Sequence, residues 1–367
     1  MIDFIPIQYY SYIYYNIILL FSFITLIKTL FYSGDNEITF VYSKYLGIIL
    51  FWFILLYMGL RPVSYYFGDM GTYAKAFDIY VKGEELASKG DVLFYLLMEA
   101  ISNFQSKTLF FFIIAFIYIL SIYIAVKRLF PNKYYFAFLI LIASFEFWSY
   151  GTNGIRNGLA TSIVLLALTF MNNKTIMYIL FFIAFNIHSS VLIPIVAYFT
   201  TSIYKSSTIY FKIWFLSIFL SLFIGNSIEN FIISLGILRE DLVTAYFRNK
   251  DLYASSFAYN GFRWDFLAYS STAVISSYYF IFIKKIDDIY YNQLVNIYLL
   301  SNTVWILVIE ASFSNRFAYL SWFMMGLIII YPLLKHTIWY NQFRKIGMII
   351  LLYFLFTYLM KFILPNL

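Results

Sequence analysis

Four arginines border apolar stretches of the chain and have the chemistry to bind an anion. They stand in the segments GLRPVSYYFGD, GTNGIRNGLA, NGFRWDFLAY and SFSNRFAYLSW, at Arg61, Arg156, Arg263 and Arg316. A guanidinium presents a planar fork of N–H donors that fits a carboxylate or a phosphate. A guanidinium close to hydrocarbon is costly, so something should offset that cost. The alternative is that each arginine reaches lipid headgroups or pairs with a neighbouring carboxylate.

Arg156 stands in the setting best suited to an anion. In GTNGIRNGLA, glycines and asparagines precede the start of a predicted helix. Backbone N–H groups at a helix N-terminus attract anions because they have no partner within the helix. The sequence therefore predicts that these N–H groups and the Arg156 guanidinium face the same ligand.

Two of the other arginines have acidic neighbours in the sequence. Asp265 follows Arg263 by two residues. On a helix that spacing points two side chains apart, so the sequence does not predict that they pair. Arg61 is followed by Asp69 and Tyr73, and we expect these three to order the polar stretch that contains them. The alternative is a solvated loop held by an ordinary salt bridge.

His188, in the segment NIHSSVLIP, is a candidate general base. A neutral imidazole can remove a proton from an attacking hydroxyl, which accelerates a reaction by roughly 10²–10⁴-fold. Alternatively, a histidine in a helix break beside Ser189 and Ser190 only satisfies backbone groups. Asp69 and Asp265 are the alternative bases.

Neither a metal site nor a cofactor site is predicted. The second histidine, His336, lies among basic residues and is interpreted as a topological anchor. The two histidines are far apart in the sequence, and it holds no close carboxylate cluster. Zero cysteines exclude disulfides and thiolate ligands. The sequence leaves open a Mg²⁺ ion carried by a substrate.

The composition defines the environment in which these residues act. Of 367 residues, 63% are hydrophobic and 12% are charged, and the mean hydropathy is +0.79. No soluble core encloses that much apolar surface, so we predict an all-α polytopic integral membrane protein. The first apolar run lacks a small-residue cleavage site and is interpreted as a retained helix. A net charge of +7 is mild for this length, and we expect no nucleic-acid partner.

Apolar runs close to the spanning length divide the chain into about twelve transmembrane segments, within a single transmembrane domain over residues 1–367. They cover residues 11–31, 44–60, 108–126, 134–150, 155–171, 175–187, 189–203, 209–225, 264–283, 290–310, 313–334 and 346–364. The two brief runs that meet at His188 are read as half-helices or one bent hairpin. Two long polar connections cover residues 61–107 and 226–263.

Lysine and arginine are distributed unequally between the two sides of this arrangement. Short loops rich in lysine are typical of the cytoplasmic side, which places both long loops on the outer side. Six of the eight arginines then lie outside, and they are Arg61, Arg156, Arg239, Arg248, Arg263 and Arg316. Only Arg128 and Arg344 lie inside. The outer face is therefore a candidate surface for an oxyanion.

The ordered segments GLRP, GDMGTY, GIRNGLA, IHSSVLIP, GFRWDF and NRFAYLSWF extend from Arg61 to about Tyr331. In this order the chain resembles the EpsG-like branch of the Wzy-type O-antigen and exopolysaccharide polymerases. The resemblance implies a GT-C-like membrane glycosyltransferase of the bacterial inner membrane with its active site on the periplasmic side. Such enzymes join polyprenyl-diphosphate-linked oligosaccharide repeat units. A co-polymerase that regulates chain length is a further expected partner.

The resemblance gives the candidate residues their expected roles. The leaving lipid diphosphate gains negative charge, and Arg156, Arg263 and Arg316 are expected to stabilise it. Arg61, Asp69 and Tyr73 are expected to order the first outer loop or to bind sugar. An O-antigen ligase shares this fold and chemistry, and the residues alone do not separate it from a polymerase. A flippase or transporter of lipid-linked sugars would be expected to place charges near the bilayer midplane and to show an internal repeat. The sequence shows neither feature.

Overall fold

The computed structural model describes residues 4–31, 37–84, 90–234, 261–311 and 313–363. These segments form helices and contain no strand. The chain divides into two compact units. Unit 1 comprises Met1–Leu192 and Leu333–Leu359, and unit 2 comprises Ile193–Pro332 and Met360–Leu367.

The first nine α-helices belong to unit 1. They are α1 (Tyr10–Phe31), α2 (Glu37–Gly59), α3 (Met70–Val81), α4 (Val92–Ser102), α5 (Lys107–Leu129), α6 (Tyr134–Ile142), α7 (Phe145–Thr152), α8 (Ile155–Leu168) and α9 (Lys174–Ile187). The next six are α10 (Leu192–Ile203), α11 (Ser207–Ser234), α12 (Trp264–Tyr278), α13 (Ile289–Leu307), α14 (Asn315–Trp322) and α15 (Met325–Lys335). The last, α16 (Gln342–Tyr358), belongs to unit 1.

The core of unit 1 is built around α5. It packs against α2 and α8, α8 packs against α9, and α1 lies along α16. The sequence of α5 explains its limits, because Ser106 caps its first turn by accepting from the Leu109 N–H at 3.2 Å. Its last turn carries Lys127 and Arg128, which favour the negative end of the helix dipole.

The run at 134–150 is not one straight helix. α6 and α7 meet at a bend of 72°. Two tyrosine hydroxyls donate to carbonyl oxygens near this bend, Tyr14 to Ile142 at 2.6 Å and Tyr118 to Phe147 at 3.1 Å. A break inside an apolar environment needs such donors, since no water is present to bond the freed carbonyls.

Gly158 allows α8 to approach α7 closely. A Cβ atom added at this position would lie 2.5 Å from the carbonyl oxygen of Tyr150, which is backbone and has little freedom to move. Small residues are typical where membrane helices touch through their backbones. This contact fixes the start of α8, and with it the position of Arg156.

A buried polar network joins four helices of unit 2. Asn302 of α13 accepts from Trp214 Nε1 at 2.8 Å and donates to the hydroxyl oxygens of Ser321 at 2.9 Å and Ser270 at 3.2 Å. Trp322 Nε1 donates to Ser270 Oγ at 2.6 Å. Hydrogen bonds between helices of this kind hold membrane helices together where the hydrophobic effect contributes little.

Six described helices are long and apolar enough to cross a membrane, and the bent pair α6–α7 raises that number to seven. They are Ile7–Phe31, Lys107–Leu129, Ser207–Gly225, Trp264–Ile283, Asn315–Lys335 and Gln342–Ile363. The chain is therefore a helical membrane protein. The runs at 155–171, 175–187 and 189–203 form helices of 14, 14 and 12 residues. These are shorter than the roughly 20 residues that a bilayer requires, so these three runs are not among the described spans.

The described parts of the two long connections contain helices. Residues 61–107, expected to be a polar loop, contain the helices α3 and α4. Residues 226–234 continue α11, and residues 235–260, where Arg239 and Arg248 occur, lie outside the described part of the chain. The predicted break at His188 is confirmed, since α9 ends at Ile187 and His188 has an extended backbone with φ of −158°.

Candidate functional site

A carboxylate that the sequence did not point out lies at the centre of the polar groups of unit 1. Asp91 precedes the first residue of α4, and its backbone has a left-handed conformation with φ of 54°. Aspartate is one of the few residue types other than glycine that adopts this conformation with any frequency. The side chain is 9% exposed. A buried carboxylate requires partners, and Asp91 has three.

The three donors to Asp91 come from two distant parts of the chain. Arg156 Nη1 lies 2.7 Å from Oδ2, and His188 Nδ1 lies 2.8 Å from the same oxygen. The backbone N–H of Ser189 donates to Oδ1 at 3.3 Å. We call Asp91, Arg156, His188 and Tyr73 the Asp91 cluster. The sequence predicted Arg156, His188 and Tyr73 as site residues, and it missed the residue that brings them together.

Arg156 is the second residue of α8 and makes two side-chain hydrogen bonds in the described structure. Besides Nη1, its Nε donates to the hydroxyl oxygen of Tyr73 at 2.9 Å, and the guanidinium carbon lies 5.4 Å from the centre of that ring. Among the described residues, Nη2 has no hydrogen-bond partner. The side chain is 29% exposed. One face of the guanidinium is therefore fixed while Nη2 remains available to a ligand.

The geometry selects one tautomer of His188. Because Asp91 is an acceptor when ionised, the Nδ1 atom of a neutral His188 carries the proton and Nε2 carries the lone pair. The structure gives Nε2 no partner among the described residues, and the side chain is 20% exposed. A carboxylate that holds Nδ1–H also stabilises the imidazolium that forms when Nε2 accepts a proton.

The electrostatics of the cluster favour an ionised Asp91. Burial alone would raise the pKa of this carboxyl, but the hydrogen bond from His188 and the charges of His188 and Arg156 outweigh it, so its pKa lies below the usual value. Burial raises the pKa of Tyr73 to about 12, partly opposed by the charge of Arg156. Tyr73 is therefore a neutral hydrogen-bonding group near neutral pH and does not serve as a base.

Two asparagines attach the ends of neighbouring segments to the cluster. Asn153 Oδ1 accepts from the backbone N–H of Asp69 at 2.8 Å, and Asn157 Oδ1 accepts from the hydroxyl of Ser190. The first contact ties the start of α3 to the turn before α8, and the second ties the helix break to α8. The asparagines of GTNGIRNGLA therefore bond other segments of the protein.

Arg61, which follows α2, is buried and only 1% exposed. It donates through Nη1 to the carbonyl of Met58 and through Nη2 to that of Thr152 at 3.3 Å. The guanidinium carbon lies 5.5 Å from the ring centre of Phe67 and 5.8 Å from that of Phe111. Of the two roles expected for Arg61, these contacts fit the ordering of the chain between α2 and α3 and leave no exposed group for a sugar.

Arg263 and Asp265 form an ion pair that their spacing in the sequence did not predict. Arg263 Nε lies 2.9 Å from Asp265 Oδ1, and Nη2 lies 2.6 Å from Oδ2, so the pair is bidentate. The spacing rule applies to two residues within a helix, but Arg263 precedes the first residue of α12 and has a non-helical ψ of 77°. The guanidinium carbon also lies 3.5 Å from the ring centre of Phe266.

Arg316 is the second residue of α14 and is half-buried. Its guanidinium carbon lies 5.2 Å from the ring centre of Phe313, whose φ of 57° places it in the left-handed region. Arg263, Asp265 and Arg316 thus belong to unit 2, whereas Arg61, Asp69 and the Asp91 cluster belong to unit 1. Within the described residues, no group of three or more metal-ligating side chains is found.

The all-helical, multi-span architecture defines a helical membrane protein, and each of its two units contains an arginine–carboxylate pair. A family model confirms the resemblance drawn from the ordered motifs, since the EpsG family matches residues 44–366. The chain belongs to the EpsG family, which in general indicates a membrane polysaccharide polymerase of the glycosyltransferase kind. No curated protein and no solved structure matches the chain.

Proposed function

We propose that this protein polymerises a polysaccharide by joining oligosaccharide repeat units that are carried on polyprenyl diphosphate. In each cycle the glycan of one lipid-linked unit moves to the free sugar end of another, and a lipid diphosphate leaves. The observation that carries the proposal is the Asp91 cluster, where a base and a guanidinium share one carboxylate oxygen. The reaction requires these two functions, one for the acceptor proton and one for the leaving charge.

His188 is the proposed general base. Its Nε2 takes the proton of the acceptor hydroxyl while the hydroxyl oxygen forms the new bond to the anomeric carbon. The bond from that carbon to the diphosphate oxygen breaks in the same step, and its electron pair leaves with the diphosphate. Asp91 is a positioning residue, because it holds Nδ1–H at 2.8 Å and keeps the lone pair on Nε2.

Arg156 is the proposed contact to the diphosphate in unit 1. Nε and Nη1 are held by Tyr73 and Asp91, so the guanidinium is fixed before the ligand arrives. A fixed donor stabilises the charge that develops in the transition state, since it needs no reorganisation during the reaction. Arg263 and Arg316 remain proposed diphosphate ligands in unit 2.

The contacts rank the alternative bases. Asp265 accepts hydrogen bonds from Arg263 through both carboxylate oxygens, so it is poorly placed to take the proton of the acceptor hydroxyl. Asp69 is half-buried and its backbone is bonded to Asn153. We therefore retain His188 as the first choice and Asp69 as the second. We further propose that turnover needs no bound metal and inverts the anomeric centre by direct displacement.

The proposed location is the bacterial inner membrane, with the Asp91 cluster on the periplasmic side and a GT-C-like arrangement of about twelve segments. The chain has no cysteine, so a single introduced cysteine reports topology. Glu84 and Tyr340 are both exposed in unit 1. We expect Glu84→Cys to react with an impermeant thiol reagent in intact spheroplasts and Tyr340→Cys to react only after lysis. The reverse pattern would place the cluster in the cytoplasm.

Purified enzyme with lipid-linked repeat units tests the chemistry. We expect His188→Ala to lose roughly 10²–10⁴-fold in rate, and EDTA to leave the wild-type rate unchanged. Full activity of His188→Ala would show that His188 is not the base. Loss of activity in EDTA that Mg²⁺ restores would show that turnover requires a metal. Retention at the new bond, read by NMR, would require a nucleophile instead.

Deletion of the gene separates the proposed polymerase from related activities. Loss of a polymerase leaves single repeat units on the cell surface. Loss of a ligase leaves no attached glycan, and loss of a flippase leaves lipid-linked units on the cytoplasmic face. Only the first outcome supports the proposal.

A further inference from the structure

Two turns of unit 1 contact each other through two lysine–aromatic pairs. The first joins α5 to α6, and the second joins α15 to α16. Lys133 of the first turn lies with Nζ 5.3 Å from the ring centre of Phe343, at the start of α16. Lys335 of the second lies 5.7 Å from the ring centre of Phe130 in the first. Each turn thus supplies a cation to the other's aromatic ring.

These two turns concentrate positive charge. The segments 127–136 and 335–345 read KRLFPNKYYF and KHTIWYNQFRK, and neither contains an aspartate or a glutamate. We define the basic patch by the six cations in these segments, which are Lys127, Arg128, Lys133, Lys335, Arg344 and Lys345. Four of them, Lys127, Arg128, Lys335 and Arg344, are exposed. Clustered lysine and arginine side chains at a membrane border attract anionic lipid headgroups, by about 1 kcal/mol for each cation near the surface.

Aromatic rings support most of these cations from the protein side. Lys127 Nζ lies 5.4 Å from the ring centre of Tyr123, Lys345 Nζ lies 4.5 Å from that of Trp339, and the Arg128 guanidinium carbon lies 3.6 Å from that of Phe170. A ring beneath a cation orders its long side chain while leaving charged donors for a second partner. The patch is therefore an ordered surface.

The patch also coincides with the ends of three candidate membrane spans. Lys107–Leu129 and Asn315–Lys335 end in it, and Gln342–Ile363 begins in it. A ligand that fits this level has an anionic group at the membrane border and an apolar part in the hydrocarbon beside the spans. Phosphate on an acyl chain satisfies both requirements, whereas a soluble anion satisfies only the first.

We propose that the basic patch is a binding site for the phosphate headgroup of an anionic phospholipid. The site is distinct from the Asp91 cluster. α8 has Arg156 in its first turn, and the residue after its last, Thr169, accepts from Arg128 Nε at 3.1 Å. The lipid would be held by its headgroup between the two turns and would stabilise their contact.

The test uses full-length protein in nanodiscs of phosphatidylcholine with increasing phosphatidylglycerol. Retained phosphatidylglycerol is counted by native mass spectrometry. Each cation near a membrane surface contributes about fivefold in affinity, so Lys133→Gln with Lys335→Gln should weaken retention about 30-fold. The matched control, Lys205→Gln with Lys212→Gln, removes the same charge from unit 2 and should retain the lipid as the wild type does.

Three results would overturn the proposal. The first is that Lys133→Gln/Lys335→Gln retains as much phosphatidylglycerol as the wild type. The second is that the control variant loses as much lipid as Lys133→Gln/Lys335→Gln. The third is displacement of the lipid by millimolar inorganic phosphate, which would indicate a site for a soluble anion. Lys133→Arg with Lys335→Arg guards against a folding defect, because it keeps charge and ring contact and should bind as the wild type does.

Discussion

Asp91 Oδ2 lies 2.8 Å from His188 Nδ1 and 2.7 Å from Arg156 Nη1, so one oxygen serves two groups with different proposed tasks. Removing either partner leaves Asp91 with fewer donors in a site where it is 9% exposed. The two partners are thereby coupled. A change at one of them alters the position and the charge balance of the other.

Asp91→Asn should lower kcat by about 10²–10⁴-fold with a smaller effect on KM, because an amide NH₂ next to Nδ1 favours the other tautomer and moves the lone pair away from Nε2. Asp78→Asn is the matched control, since Asp78 accepts from Lys107 at 2.7 Å on the outside of the protein. Steady-state kinetics on lipid-linked repeat units measure both. Equal losses of kcat in the two variants would show that Asp91 has only a structural role.

Arg156→Lys should slow turnover by about 10- to 150-fold, the loss of one charge-assisted hydrogen bond of roughly 1.5–3 kcal/mol. A lysine keeps the charge but cannot hold Tyr73 and Asp91 while presenting a third donor. Arg128→Lys, in the last turn of α5 and in contact with Thr169 at the far end of α8, should keep the wild-type rate. Long polymer made at the normal rate by Arg156→Lys would show that this arginine only supports the fold.

The pH dependence of stability follows from the lowered pKa of Asp91. A carboxyl with a depressed folded-state pKa contributes stability above its unfolded value, about 3.9, and loses it as the pH falls through the lower folded value. The melting temperature of the wild type should therefore exceed that of Asp91→Asn at both pH 7 and pH 5. The gap should narrow only below about pH 4. A gap that closes between pH 7 and pH 5 would contradict the depressed pKa.

Gly158→Ala should inactivate the protein, because the added methyl group would lie 2.5 Å from the Tyr150 carbonyl oxygen and push α8 from α7. Gly154→Ala is the control, since its methyl group would lie 3.4 Å from the Tyr150 ring, close to an ordinary contact. Polymer length on gels and yield of folded protein report the effect. Comparable activity of both variants would mean that the contact is not needed.

Asn302→Leu should destabilise unit 2 by about 1–3 kcal/mol, since it leaves the buried Trp214 N–H and the Ser321 hydroxyl without this partner. Asn292→Leu is the comparison, because the Asn292 Oδ1 atom is buried without a partner in the described structure. Thermal unfolding in detergent measures both variants. A larger loss for Asn292→Leu would show that the network is not a main source of stability.

Features that depend on local sequence were predictable. The break at His188 and the resemblance to the EpsG family follow from runs of residues that can be read one after another. Asp91 was not predictable in the same way, because it lies 97 residues from His188 and 65 from Arg156. Its one local signal is its position before the apolar run VLFYLL, typical of a residue that precedes a helix.

The helix spacing rule and the hydropathy pattern do not report where a helix starts or breaks. The helix spacing rule did not predict the pairing of Arg263 with Asp265, because Arg263 precedes α12 and has a non-helical backbone conformation. The run at 134–150 looks continuous in hydropathy, yet Ser144 and Glu146 interrupt it, with the Ser144 hydroxyl 2.6 Å from Glu146 Oε1. Such breaks depend on side chains that satisfy the backbone, and hydropathy alone does not report them.

The length of α8 has a consequence for the membrane around it. Its 14 residues rise about 20 Å, whereas the hydrocarbon core of a bilayer is about 30 Å thick. Arg156 and the Arg128 contact lie at its two ends. With Arg128 at one interface, Arg156 lies below the other unless the bilayer thins beside it. A lipid diphosphate would then be drawn inward to react, and the enzyme would work fastest in bilayers with short acyl chains.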